Sequence, residues 1–367
     1  MKKITLLFAL TIILSCQNTE MKEIKTTDFY VGTYTNGQSK GIYKYQIDVE
    51  GKLSKVGLVA ETSNPSFITK TKDNKMLLAV DEANEDGTGF VKSFAIKKDT
   101  LAYINTSKSG GAHPCFITVN DQNQVLVANY SGGNVGFLEI DSSGKLSELI
   151  DVQQHLGKGT TDRQKAPHAH STWFHPNTKE IISVDLGTNE LWFSKIDKQE
   201  KKLVLSDQSK LKMADGAGPR HLTFHPNEKW IYVLNELNNT VSLVKEKDGL
   251  YFIDASISML PEDFTDYTKG ADIHISDDGK FIYASNRGHN SIVIYKVNQE
   301  EGSLSLVGFE SVKGANPRNF SLSPDNKFLL VANQDTNNII SFKRNSKTGK
   351  LTFVSEISAP NPVCILF

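Results

Sequence analysis

Leu222-Thr223-Phe224-His225-Pro226-Asn227-Glu228-Lys229-Trp230-Ile231-Tyr232-Val233-Leu234-Asn235-Glu236 reads as an apolar strand, a tight polar turn and a second apolar strand. Proline pre-sets φ in such a turn and asparagine bonds its own backbone, so the stretch is a hairpin. The pattern returns in Phe67 to Glu82, Phe116 to Tyr130, Trp173 to Leu186, Ile273 to Arg287 and Phe320 to Gln334. Their turns are Asp73-Asn74, Asp121-Gln122-Asn123, His175-Pro176-Asn177, Asp277-Asp278-Gly279 and Ser323-Pro324-Asp325-Asn326. A third alternating strand follows each pair, as in Thr240 to Val244 and Ser291 to Tyr295, and then a fourth, as in Gly302 to Val307. Four short strands with a period of roughly 50 residues are the mark of propeller blades.

The chain ends supply a seventh blade. Phe29 to Thr33, Gly41 to Ile47 and Lys52 to Ala60 read as second, third and fourth strands with no first strand before them. Asn361-Pro362-Val363-Cys364-Ile365-Leu366-Phe367 matches the opening of a repeat, as in Asn64-Pro65-Ser66-Phe67-Ile68, and then stops. The expected fold is an all-β seven-bladed β-propeller, its ring closed by the C-terminal strand joining the N-terminal blade, which hides an otherwise bare edge.

The 367 residues carry 41 Lys plus Arg against 42 Asp plus Glu, so no basic footprint for nucleic acid or a membrane surface is present. The 38% hydrophobic content suits many half-exposed strands with a distributed core. Lys2 and Lys3 lead into an apolar run, Ile4 to Leu14, long enough for a signal segment and short for a membrane span. It ends in Ile13-Leu14-Ser15-Cys16 and resembles a bacterial lipoprotein signal. The expected organisation is a signal peptide over residues 1–16 with lipidation at Cys16, a polar tether over 17–27 and the propeller over 28–367. The expected location is the cell envelope, with membrane attachment only through the lipid, and the expected state is a monomer. Cys115 and Cys364 fall in repeats that a ring does not make neighbours, so no disulfide is expected.

In a blade the innermost strand runs from one face to the other and the second runs back, so the start of the first and the end of the second share a face. That places Arg220, His221, Asn235 and Glu236 together at one mouth of the central channel. The same rule brings His168, His170, Asn286, Arg287, Arg318, Asn319, Asn129, Tyr130, Asp81, Glu82, Asp185, Asn333 and Gln334 to that face. Two long connections, Asp151 to Pro167 and Ser256 to Gly270, end there, and loops of that length commonly cover a site.

The repeats act as an internal control. Asn129, Asn235, Asn286 and Asn333 recur at the end of the second strand and read as turn formers, although Asn235, Asn286 and Asn333 remain candidates for substrate contact. Pro65, Pro114, Pro219, Pro317 and Pro362 recur where the first strand opens. The departures are His168 and His170 in place of Asn-Pro or Gly-Pro, Glu236 in place of Tyr, Leu or Gln, and Arg287.

From Phe29 to the C-terminus the chain resembles the seven-bladed propeller lactonases, which include 6-phosphogluconolactonases and the fungal carboxymuconate lactonising enzymes. The stretches that carry the likeness are Phe29-Tyr30-Val31-Gly32-Thr33-Tyr34, Pro167-His168-Ala169-His170, Gly218-Pro219-Arg220-His221, Val233-Leu234-Asn235-Glu236-Leu237, Ser285-Asn286-Arg287-Gly288-His289 and Val331-Ala332-Asn333-Gln334-Asp335. The resemblance implies catalytic roles for a histidine, His168 or His170, for Arg220 and Arg287, and for Glu236. It implies no metal and no cofactor.

Lactone hydrolysis needs a base to activate water and positive charge where the carbonyl oxygen becomes an oxyanion. His168, His170 or Glu236 can be the base, and arginines hold carboxylates or phosphates in a fork. His221, Asn235, Asn286, Arg318, Asn333 and Tyr130 are the candidate substrate contacts. The expected partner is a small anionic lactone or sugar acid. The chain has no Gly-x-Ser-x-Gly elbow and no His-Glu-x-x-His. The same groups would serve a carboxymuconate-type cycloisomerase, and a non-catalytic envelope propeller binding a ligand or protein is the reading from a different class. His168 and His170, two apart on a strand, are expected to point to the same side, with Asp185, Glu82 and Asp81 on the same face.

Overall fold

The computed structural model describes residues 25–367, so the expected signal segment and Cys16 lie outside the described residues. Seven four-stranded antiparallel sheets follow one another around a ring. Numbered from the N-terminus, blade 1 combines Pro362–Leu366 with Thr26–Thr33, Gly41–Asp48 and Leu53–Glu61. The closure register is Tyr30 opposite Leu366, Val31 opposite Ile365 and Gly32 opposite Cys364. The strand expected from Phe29 begins at Thr26, because Thr26 and Thr27 already pair with Asp48 and Ile47. The innermost strands of blades 2 to 7 are Ile68–Lys70, Pro114–Val119, Ala169–Phe174, Pro219–Phe224, Lys269–Ile275 and Pro317–Leu322.

The core is distributed between blades. Trp230, Tyr232 and Leu234 of blade 5 pack on Ile282, Ala284 and Tyr295 of blade 6. Phe29, Val31 and Tyr45 of blade 1 pack on Phe328 and Leu330 of blade 7, so closure is apolar as well as hydrogen-bonded. Outer turns lock neighbouring blades. Gly302 and Gly349 take φ of +77° and +75°, and a Cβ there would lie 2.6 Å from Trp230 and 2.4 Å from Phe281 of the preceding blade. Their carbonyls accept Tyr232 and Tyr283 hydroxyls at 2.7 and 2.8 Å. Cys115 and Cys364 are buried free thiols.

The hairpin turns fall where the repeats place them, but the left-handed residue of two turns does not. In blades 4 and 5 it is Lys179 and Glu228 rather than an asparagine. There His175 and His225, each accepting a turn N–H on Nδ1, replace the threonine, asparagine or serine of other blades, Thr71, Asn120, Ser276 and Ser323. These two histidines are turn builders.

Candidate active site at the channel mouth

Six of the seven innermost strands enter the channel through a β-bulge, Ile68–Lys70 of blade 2 being the exception. Six registers carry it, with Val363, Cys115, His170, Arg220 and Arg318 as the extra residues in five strands and one more residue between Gly270 and Ile273 in the sixth. A bulge breaks the in–out alternation and re-aims a side chain. Three of the residues singled out above, His170, Arg220 and Arg318, therefore occupy equivalent positions around the mouth.

At its centre is Glu236, 3% exposed, which follows the second strand of blade 5. Its Oε2 lies 2.8 Å from Arg287 Nη2 and 3.2 Å from Arg220 Nε, and its Oε1 lies 3.6 Å from Arg163 Nη2. Burial raises the carboxyl pKa, but Arg287, Arg220 and Arg163 outweigh it and hold the group at about 2. Glu236 is thus an anion at neutral pH, ion-paired with three guanidiniums. Arg220 is pushed down to about 9 by burial and by the charges of Arg287 and Arg318, which leaves it charged at neutral pH.

Of the connection expected over Asp151 to Pro167, Asp151–Gln154 forms the outer strand of blade 3, and Arg163 comes from the remainder, with no counterpart in any repeat. Its loop is pinned by Gln164, fully buried, whose Nε2 donates to Leu186 O at 2.9 Å and Asn189 Oδ1 at 3.0 Å. Arg163 Nη2 also donates to Tyr130 Oη at 3.0 Å. On the far side of the cluster Arg318 donates to Tyr34 Oη at 2.8 Å, and Tyr34 donates to Glu82 at 2.8 Å, which also takes the Ser66 hydroxyl.

The two histidines do not stand side by side as alternation predicts, because His168 precedes the strand and His170 is the bulged residue. His168 stacks face to face on Tyr130, ring centroids 4.4 Å apart and planes 9° apart, whereas His170 meets Tyr130 edge-on at 5.4 Å. His168 Nδ1 lies 3.0 Å from Tyr130 O. A carbonyl only accepts, so Nδ1 carries a proton, and in the neutral ring Nε2 is the accepting nitrogen. His170 is 5% exposed, its Nδ1 3.7 Å from Cys115 Sγ. Burial, then Arg220, His221 and Arg318, drives its pKa well below the ordinary value.

A second tier lies one residue deeper. His221 Nε2 is 3.2 Å from Arg220 Nη1, and its Nδ1 is 2.8 Å from Asp272 Oδ1. Burial and Arg220 lower the His221 pKa to about 4, so the ring is neutral, donating from Nδ1 and accepting on Nε2. Asp272 Oδ2 takes Asn319 Nδ2 at 2.6 Å and His274 Nε2 at 3.0 Å. Arg220 Nη1 also donates to Ala271 O. His221 is therefore a support for Arg220, buried at 3% exposure, rather than an exposed substrate contact.

The asparagines are drawn away from the cluster. Asn235 donates to Thr240 and Ser242 hydroxyls at 2.9 Å, Asn286 to Met259 O at 2.8 Å and Asn333 to Val312 O at 2.9 Å, all at 0–1% exposure. They brace the blades, the turn-forming half of the expectation, and are not brought to the arginines as substrate contacts. Asp185 is engaged by His155 Nδ1 at 2.7 Å on Oδ2 and takes the backbone N–H of His168 at 2.9 Å on Oδ1, and Asp81 is engaged by Lys92 at 2.6 Å, so neither carboxylate meets the imidazole of His168 or His170.

A seven-bladed ring with a buried arginine–glutamate cluster and a histidine at one mouth defines a class of hydrolase. The family model described as "Lactonase, 7-bladed beta-propeller" matches residues 28–367, and the chain belongs to that lactonase family of carboxylic ester hydrolases. It is 40% identical over 345 residues to a 6-phosphogluconolactonase of Bacillus subtilis, covering 92% of this chain and 97% of that one. Among solved structures it is similar to a putative 6-phosphogluconolactonase from Bacteroides fragilis, with 36% identity, TM-score 0.86 and coverage of 92% and 96%. It is also similar to a periplasmic gluconolactonase from Pseudomonas aeruginosa, with 29% identity, TM-score 0.88 and coverage of 93% and 98%.

Proposed function

We propose that this lactonase hydrolyses the ring ester of a gluconolactone phosphorylated at its exocyclic end, with His168 as the base. The carrying observation is charge: among the described residues Arg163, Arg220, Arg287, Arg318 and Lys269 surround the mouth, against Glu236 and Glu82 there and Asp272 one tier deeper. A neutral sugar ring needs no such excess; a substrate with a phosphate and a developing oxyanion does.

In this reading His168 Nε2 takes a proton from water as the water oxygen bonds to the lactone carbonyl carbon. The carbonyl oxygen gains the negative charge beside Arg220 and Arg287, whose spacing Glu236 sets. Collapse breaks the bond between carbonyl carbon and ring oxygen, and the imidazolium returns its proton to that oxygen, leaving an aldonate with a free hydroxyl. Glu236, held at about 2, is too weak a base to compete and acts as the spacer. Half-exposed Arg163, on its pinned loop, grips the phosphate.

A second reading, the unphosphorylated lactone, is favoured by the apolar leader ending at Cys16, which supports an envelope location. One assay separates the two: acid release from 6-phosphogluconolactone and from gluconolactone by the purified protein and by Arg163→Ala. The phosphorylated substrate is expected to lose about tenfold or more in kcat/KM through KM alone, with gluconolactone unaffected. Equal losses on both remove Arg163 from phosphate binding, and turnover of neither lactone removes the function.

A further inference from the structure

The channel does not run through the ring. Phe67, Phe116, Trp173 and His221 fill its middle, with ring centroids 4.3 Å apart for Phe67–Phe116, 4.7 Å for Phe116–Trp173 and 5.5 Å for Phe116–His221. Below this plug, on the face opposite the arginines, the innermost strands of blades 2 to 6 open into a cavity of about 620 Å³. Small-molecule sites commonly fall between about 300 and 1,000 Å³, with apolar walls and a few polar groups.

The walls fit that description. Trp173, Phe174 and Phe224 present partly exposed aromatic surface to the cavity. The Trp173 indole N–H is already given to Ser171 Oγ at 2.9 Å, so its ring offers only its apolar side. Asp121 is the single carboxylate of the lining, and Lys72 faces it at 3.9 Å. Lys70, at the end of its strand, is half-buried, and among the described residues its amine has neither an ion pair nor a hydrogen bond. Its burial pulls its pKa down. A half-desolvated ammonium without a partner is a cost that a bound anion repays, and aromatic walls repay an apolar body.

We propose that this cavity is a second ligand site, separate from the arginine mouth, that takes a small organic anion with a flat apolar body. The negative group sits on Lys70 and the body lies against Trp173, Phe174 and Phe224. None of these residues takes part in the proposed hydrolysis, and the plug keeps a ligand here from reaching the arginines.

Titration of the purified full chain with benzoate and with phenyl phosphate, followed by tryptophan fluorescence and calorimetry, tests the site. At least one probe is expected to bind saturably with a Kd of about 1 mM or tighter. Lys70→Met, which keeps the apolar stem, is expected to weaken it about tenfold or more, and Arg163→Ala on the opposite face to leave it unchanged. Inorganic phosphate, lacking the apolar body, is expected to bind about tenfold more weakly than phenyl phosphate. Absence of saturation by ~10 mM, binding that survives Lys70→Met, loss with Arg163→Ala, or equal binding of inorganic phosphate each overturns the proposal.

Discussion

Glu236 Oε2 lies 2.8 Å from Arg287 Nη2 while holding Arg220 Nε at 3.2 Å, so one buried anion spaces two guanidiniums from neighbouring blades. Glu236→Gln keeps the shape and removes the charge. It is expected to lower kcat/KM by about a hundredfold or more and to destabilise the fold by about 3–5 kcal/mol, since it strands two buried cations. The pH dependence has a definite sign. The carboxyl is held at about 2 against an ordinary 4.5, so its stabilisation is complete above pH 4.5 and is lost as pH falls toward 2. Thermal unfolding from pH 7 to 2 should show a shallower acid decline in the variant than in the parent.

His168→Gln removes the Nε2 proposed as the base while keeping a donor near Tyr130 O. A loss of about 10²- to 10⁴-fold in kcat is expected. His170→Gln should act mainly on KM, because burial and the neighbouring arginines hold His170 neutral in the parent. A larger fall in kcat for the His170 variant than for the His168 variant would exchange the two roles.

Among the described residues Asp272 is hydrogen-bonded to the cluster through His221, so it is a positioning residue. Asp272→Asn replaces one accepting oxygen with an NH₂ donor, so the side chain no longer accepts from His221 Nδ1, Asn319 and His274 together, and the fixed orientation that presents His221 Nε2 to Arg220 Nη1 is lost. The expected result is a kcat fall of about tenfold with KM changed less. Stability bears on His221 itself: its pKa, about 4 against an ordinary 6.5, makes folding less favourable as pH drops from 6.5 to 4. A variant with wild-type kcat and only a lowered Tm would reduce Asp272 to a structural role.

Removing Asn361 to Phe367 bares the edge of Thr26–Thr33 and takes away buried Val363, Cys364 and Ile365. At about 1.5–3 kcal/mol per large buried apolar side chain, Val363 and Ile365 alone account for roughly 3–6 kcal/mol. Denaturant unfolding should show a fall of at least that size, accompanied by self-association through the open strand, measured by sedimentation.

The ring was readable because hairpin chemistry repeats, and the closure because Asn361-Pro362 copies the opening of a blade. His168, His170, Glu236 and Arg287 were readable as departures from the repeat, and Arg220 from the Gly218-Pro219-Arg220-His221 stretch that carries the family resemblance. Arg163 was not, since it lies in a connection with no repeat to compare. The His221–Asp272–Asn319 tier was hidden by a one-residue offset. Segments counted from Phe67 and Phe116 begin one place earlier in the strand than those counted from Leu222, Ile273 and Phe320, so His221 and Asp272 never lined up with the phenylalanines they replace. The orientations of His168 and His170 were misread because alternation cannot foresee a bulge.

The aromatic plug has a kinetic consequence. With Phe67, Phe116, Trp173 and His221 shutting the middle of the ring, the arginine mouth has a single door. The product must back out along the route the substrate took, past the same guanidiniums, carrying a carboxylate the lactone lacked. Release is then the step those charges resist, and the acid should accumulate as a competitive inhibitor of its own formation.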